Sequence, residues 1–463
     1  MTQENHGRPT ANAGVEFTPG STAEAESNVC SPPDVVVRKG GTFEALRHRA
    51  YLLFWSGALV SNVGNWMQST ALGIVVWGFR RSEADLGIVN FAAQIPTLFL
   101  ALAGGVLADR VDKRKLIIWA QLGLMAQAII IGWLYVTGHL SAAAPVTALI
   151  LVSGLSLAAG VITSLSFPAW QAIIPDLVPH PTLLNAIALN SAQFQSARML
   201  GPLAASAILL AGLGMAEIFW INAASFLFVI AALWAVPAPP HTPEAADGSR
   251  ESSWASLMTG VHYAASHRMI GIVIVSTAIM TVVGMPYLFL LPSVADKGLG
   301  FKGTELRKVY TFLMASSGLG ALVGALIVAS LPHSIRRERL MRWSILATAL
   351  LLIAFAFTPW LWLSLILSAL AGAGMLTTNS LANTSIQANV PNRLRGRVMS
   401  LFIMSFLGLM PLSAILFGPL AEAVGPNAAI ASGAIVLLAW ALLLIARPSL
   451  LTHRTSTDAK CSD

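Results

Sequence analysis

The sequence predicts an all-α membrane fold of twelve transmembrane helices arranged as two six-helix pseudo-repeats, and three observations predict it. Apolar runs recur from Tyr51 to Ala446, each near the roughly 20 residues that carry a helix across a hydrocarbon core of about 30 Å. Only 11% of the 463 residues are charged, against about 25% in an ordinary soluble domain. Short patterns in the first half return in the second at a nearly constant offset. Lipid offers the backbone no hydrogen bonds, so the apolar runs are read as helices.

The chain opens with residues 1–45, rich in Gly, Pro, Ser, Thr and Glu, a composition that predicts a disordered tail. The tail has no apolar stretch of signal-peptide type, so the first span is expected to act as an uncleaved targeting signal. Phe43 to Arg49 reads as a short amphipathic lead-in. The first bundle, 46–236, then holds spans at 51–78, 86–108, 116–137, 144–167, 184–212 and 216–236. The stretch PAPPHTPEAADGSRESS begins at Pro237 and is the most polar interior segment. With an interfacial helix at Trp254–His267 it forms a predicted linker over 237–268. The second bundle, 269–446, holds spans at 270–292, 307–331, 341–358, 361–385, 397–420 and 427–446, and a tail over 447–463 closes the chain.

Orientation follows from the cations. With the N-terminus inside, cytoplasmic segments carry 21 of the 28 Lys and Arg. External loops carry six (Arg80, Arg81, Lys297, Lys302, Arg307 and Lys308), and Arg198 lies inside a span. That bias predicts both termini in the cytoplasm. The cluster around Lys297 is a local exception, partly balanced by Asp296 and Glu305. The net charge of +7 therefore reads as membrane orientation, with no nucleic-acid partner expected. Cys30 and Cys461 both fall in the tails, where no structural disulfide is expected.

The repeat rests on four echoes. RHRAYLLFW at Arg47 and SHRMIGIVI at Ser266 enter spans 1 and 7. Gly105 precedes Gly324 by 219 residues, Gln171-to-Pro175 precedes Gln387-to-Pro391 by 216, and Gly201-Pro202 precedes Gly418-Pro419 by 217. Two parallel six-helix repeats explain a shared offset better than chance does.

The most specific local pattern joins spans 2 and 3: GGVLADRVDKRKL, from Gly104 to Leu116. A positive-inside loop accounts for Arg110, Lys113, Arg114 and Lys115 but not for the Gly-x-Leu-Ala-Asp-Arg order before them. Gly105 is expected to allow close helix approach, and Asp109 to latch the halves by capping a span start in the second half. This order, with the span count and the duplicated halves, resembles the loop signature of the major facilitator superfamily. In the second-half copy Val328 stands at the Asp position. SNVGNWMQSTAL at Ser61, the run Asn185, Ala186, Asn190, Ser191, Arg198 and Gly201-Pro202, and VPNRLRGRVMSLF at Val390 narrow the resemblance. They point to the branch holding macrolide-efflux proteins and the enterobactin exporter. The resemblance implies proton-driven export from the inner membrane, by an antiporter working through alternating access.

Polar residues inside spans are the candidate cavity: Asn62, Asn65 and Gln68 in span 1, Asn90 and Gln94 in span 2, Asn190, Gln193, Gln195 and Arg198 in span 5, and Asn379, Asn383 and Gln387 in span 10. Each amide reads equally as glue between helices. Met285 and Tyr287, with Met269 and Met280, offer an adaptable apolar wall, and Gly201 and Pro202 a hinge. A guanidinium at the depth of Arg198 costs at least about 2.5–3.5 kcal/mol to insert. Backbone carbonyls, Asn65, cavity water or an anionic substrate are its expected partners, since no Asp or Glu lies deep in a span. No phosphate-binding loop or Cys/His metal spacing occurs, so neither an enzyme, a metal nor a cofactor is expected. The expected partners are a small-molecule substrate, protons and the lipid bilayer, with the protein a monomer. The sequence leaves open an importer or lipid-like substrate carrier, and a non-transporting scaffold or sensor with the same fold.

Overall fold

The computed structural model describes residues 43–236, 253–331, 337–447 and Leu450. Half of the expected linker, 237–252, and most of both tails lie outside the described residues. The folded body is all-helical. Its first half comprises α1 (Arg49–Arg80), α2 (Glu83–Arg110), α3 (Lys113–Val136), α4 (Pro145–Ala172), the short α5 (Ile174–Leu177), α6 (Leu183–Leu210) and α7 (Met215–Ala235). The second half comprises α8 (Ser253–Ser266), α9 (Arg268–Ile279), α10 (Pro286–Ser293), α11 (Gly303–Ser330), α12 (Arg337–Phe357), α13 (Leu361–Asn389), α14 (Asn392–Ile403), α15 (Met410–Val424) and α16 (Pro426–Ala446).

Among the described residues, nine helical segments are long and apolar enough to cross a membrane. They include two interrupted by π turns, Arg268–Gly298 and Leu394–Val424. The other three expected spans are α1, α2 and α6, of 32, 28 and 28 residues. In α1 and α6 the polar residues Asn62, Asn65, Gln68, Gln193 and Arg198 lower the apolarity, while α2 carries Asn90 and Gln94 within an otherwise apolar run. Protein rather than lipid surrounds those side chains, so the missing apolarity has a structural cause. Around the outside the pattern inverts: Trp119 is 71% exposed, Ile150 66% and Trp234 72%. Such large apolar groups are stable facing hydrocarbon, and the chain is a multi-pass membrane protein.

α2 packs along α4 and α11 along α13; α3 packs on α7 and α12 on α16; α3 also meets α4, and α12 meets α13. The halves touch chiefly where α2 crosses α15 and α6 crosses α11. Both crossings bring backbone onto backbone. A Cβ on Gly87 would fall 2.6 Å from the Ala414 carbonyl oxygen, and one on Gly318 2.7 Å from that of Arg198. At one end of the body, the turn end, sit the α1–α2 turn and the start of α11. At the other, the base, α1 begins.

Two proline-bearing helices are interrupted. π-helical turns at Met280–Gly284 and Met404–Gly408 precede Pro286 and Pro411. Proline has no N–H for the carbonyl one turn back, and a π turn absorbs the mismatch. The ordered body also starts slightly before the boundary read at residue 45. Ala45 is fully buried, and its N–H donates to Asn185 Oδ1 at 2.9 Å. A 3₁₀ turn at Glu44–Arg47 occupies the expected lead-in.

Candidate functional site

A cavity of about 340 Å³ lies between the halves, at the lower end of the roughly 300–1,000 Å³ typical of ligand sites. From the first half come Trp66, Ser69, Leu72, Gly73 and Val76 of α1, Leu86, Val89, Asn90, Ala93 and Gln94 of α2, and Ser156 of α4. The second half supplies Met285, Leu288, Phe289, Tyr310, Met314, Met410, Ser413 and Ala414. Met285 and Met410 immediately follow the stretches disturbed by the two π turns. The proline-driven irregularities thus shape the wall.

The wall carries no Asp, Glu, Lys, Arg or His. Its polar groups are amides and hydroxyls. The Ser156 and Ser413 hydroxyls are buried and have no hydrogen-bond partner in the protein. The Asn90 amide donates to the Leu86 carbonyl at 2.9 Å.

Of the candidates read from sequence, Asn90, Gln94 and Met285 line this cavity. Gln68 turns away: it donates to Gln127 Oε1 at 2.9 Å and accepts from the Asn222 amide at 2.8 Å, tying α1 to α3 and α7. The stripe of α1 that meets the cavity is Trp66, Ser69, Leu72, Gly73 and Val76. At about 100° per residue Asn62 and Asn65 fall on the same side of α1 as that stripe but nearer the base, below the residues that line the cavity, whereas Gln68 is turned about 100° away from it. Tyr287 is buried with its hydroxyl 2.5 Å from Ser317 Oγ and its ring edge-on to Phe355. Asn383 accepts from Gln387 at 2.9 Å. Gln193 Nε2 and Asn379 Oδ1 are buried without a partner and lie outside this wall.

Arg198 sits over the Trp66 ring, 5.6 Å from its centroid. The expected amide partner, Asn65, is thus replaced by its neighbour's π face, a contact that strengthens on desolvation. Gly201 lets α6 close on α1 beside it, since a Cβ there would stand 2.8 Å from Met67 N. Pro202 is buried in the same helix.

The Gly104–Leu116 motif needs one correction. A Cβ on Gly105 would meet nothing within 4 Å, whereas one on Gly104 would fall 2.6 Å from the Ser164 carbonyl oxygen. Gly104, not Gly105, permits the close α2–α4 contact. Asp112 caps α3, accepting from Arg114 N at 2.9 Å, and Lys113 pairs with Asp176 at 3.1 Å. Arg110 is exposed and Arg114 partly so. The side chain of Asp109 lies outside the described residues.

The sequence reading missed an ion-pair latch joining the halves at the turn end. Glu83, wholly buried, accepts from Lys297 Nζ at 2.8 Å and Ser293 Oγ at 2.5 Å. Asp296 accepts from Trp77 Nε1 at 2.9 Å and pairs with Arg81 and Lys302. Glu422, at the end of α15, accepts from the backbone N–H groups of Glu83 and Ala84 at 2.8 and 3.3 Å. Arg80 pairs with Asp85 within the first half. Of the six cations expected outside, Arg80, Arg81, Lys297 and Lys302 are partners of these carboxylates, and Lys308 pairs with Glu305. A signal was present in Glu422, since an acid in the last turn of a helix opposes its dipole and calls for a partner elsewhere.

A family model described as transmembrane secretion effector matches residues 40–462. The enterobactin exporter EntS of Escherichia coli O1:K1 is 28% identical over 90% of this chain and 96% of its own length. The staphyloferrin A transporter of Staphylococcus aureus is 24% identical over 80% of this chain and 89% of its own. Among solved structures, the nucleoside transporter NupG superposes with a TM-score of 0.62 at 16% identity, over 88% of this chain and all of that one.

Proposed function

The chain belongs to the transmembrane secretion effector family, in the siderophore-exporter branch of the major facilitator transporters, and on that premise we propose that it exports a small amphipathic, drug-like or siderophore-like compound by alternating access. The proton gradient drives the cycle, and the protein sits in the inner membrane with both termini cytoplasmic. The carrying observation is the cavity between the halves, which Glu83–Lys297 and its neighbours tie together at the turn end.

In this reading α1, α2 and α6 complete twelve spans. Two features support a repeat: the α2–α4 contact has a counterpart in α11–α13, and α3–α7 has one in α12–α16. The turn end is external, and breaking the latch opens the cavity there. At the base, Asp109 latches the halves in the opposite state. The relatives named for siderophores support the direction, and the largely apolar wall supports an amphipathic cargo.

Purified protein in liposomes tests this directly. With an imposed pH gradient, labelled amphiphiles including enterobactin should cross in the export direction, and an uncoupler should abolish the flux. Flux of every compound at the rate of empty liposomes, or net movement in the import direction, would refute the proposal.

A further inference from the structure

We propose that the cavity selects an uncharged ligand that bridges the two halves, hydrogen-bonded to Ser156 on one side and Ser413 on the other. This rests on reading the cavity as the transported compound's site and names the class of that compound. Ser156 is 3% and Ser413 2% exposed, and neither hydroxyl finds a partner in the protein. A buried polar group left unpaired costs about 1–3 kcal/mol, so two such groups on residues that line one space call for a partner from it. Ser156 stands on α4 and Ser413 on α15, in opposite halves.

The rest of the wall fixes the ligand's chemistry. No carboxylate, amine, guanidinium or imidazole lines it, and the Tyr310 phenol is neutral, so neither a cation nor an anion finds a counter-charge for the hydration it lost on entering. Arg198, the cation against Trp66, is not part of the wall. An uncharged molecule has no such penalty. Its apolar or aromatic body meets Phe289 and the methionines Met285 and Met410, whose flexible thioethers adapt to shape. Its hydroxyl, amide or carbonyl groups meet the two serines and Gln94. A compound that is ionised in water is therefore taken in its neutral form.

Two measurements on the full chain in lipid nanodiscs test this. The first compares binding of chloramphenicol (uncharged, with two hydroxyls and an amide), ethidium (a cation) and fluorescein (an anion). Chloramphenicol should bind tightest. Ser156→Ala and Ser413→Ala should each weaken it about 2- to 12-fold, the worth of a typical hydrogen bond, and multiply when combined. Tighter binding of ethidium or fluorescein overturns the proposal, as does chloramphenicol binding indifferent to both substitutions, which would leave the serines to water alone.

The second measurement needs no ligand. With Cys30 and Cys461 replaced by serine, Ser156→Cys and Ser413→Cys are labelled with uncharged, cationic and anionic methanethiosulfonates. The uncharged reagent should outpace both charged ones at least tenfold, relative to their ratio at the exposed control Thr304→Cys. Equal ratios overturn the charge selection. Selective binding without gradient-driven flux would refute export and leave this inference standing. Export unaffected by either serine would do the reverse.

Discussion

Lys297→Ala removes the one cation, among the described residues, within hydrogen-bond reach of a carboxylate that has no solvent of its own. Glu83 is wholly buried, while the Lys297 side chain is 41% exposed. Breaking a buried ion pair from one side costs about 3–5 kcal/mol, and the exposure of Lys297 screens about half of that, leaving about 2 kcal/mol. Only the closed turn end bears the cost, because opening lets water reach Glu83. The closed-to-open ratio at that end should fall about 30-fold. Spin labels on the exposed residues Ala143 and Thr304, one in each half, would report a longer-distance population that the native protein shows weakly. Adding Glu83→Gln removes the stranded charge and should restore most of the closed population. An unchanged distance distribution in Lys297→Ala, or a double variant as open as the single, would refute the latch.

Four further outcomes are expected. Gly104→Ala should destabilise by about 1–3 kcal/mol through overpacking, whereas Gly105→Ala should gain about 0.5–1 kcal/mol from helix propensity, both read by thermal unfolding in detergent. Gln68→Leu strands the Gln127 and Asn222 amides and should cost about 1–3 kcal/mol while leaving chloramphenicol affinity unchanged; a large loss of affinity would return Gln68 to the cavity. Asp109→Asn should slow transport with membrane abundance unchanged, and a native rate would reduce the motif to loop charge. A reporter active only in the cytoplasm should work both after Gly248 and at the C-terminus, and an inactive fusion at Gly248 would overturn the proposed topology.

The helices were legible because their cause is local. An apolar run with no backbone partner in lipid has few options, and its ends show as polar residues within a turn or two. Gln94 and Met285 were legible as cavity residues because a polar or adaptable side chain inside a span is rare enough to stand out. What escaped depended on which face of a helix turns which way. Gln68 and Trp66 differ by two positions, and only packing against α3 and α7 decides that the glutamine is structural and the tryptophan is wall. Ser156 and Ser413 looked like ordinary small residues in apolar helices. The latch escaped for a different reason: Glu83 and Lys297 are 214 residues apart, and nothing in either neighbourhood names the other.

Helices that interlock through side chains resist rotation, since ridges must lift out of grooves before the axes can turn. Where α2 meets α15 at Gly87 and α6 meets α11 at Gly318, no side chain from the glycines stands between the two backbones. Contact energy there varies little with the angle between the axes. The pair of crossings behaves as smooth bearings on either side of the cavity, holding the halves in touch without holding them at a tilt. Angular preference is then left to groups far from the axis, where the lever arm is longest, and the carboxylates at the turn end are placed to supply it. A methyl group on either glycine would act as a detent, giving the joint a preferred angle of its own.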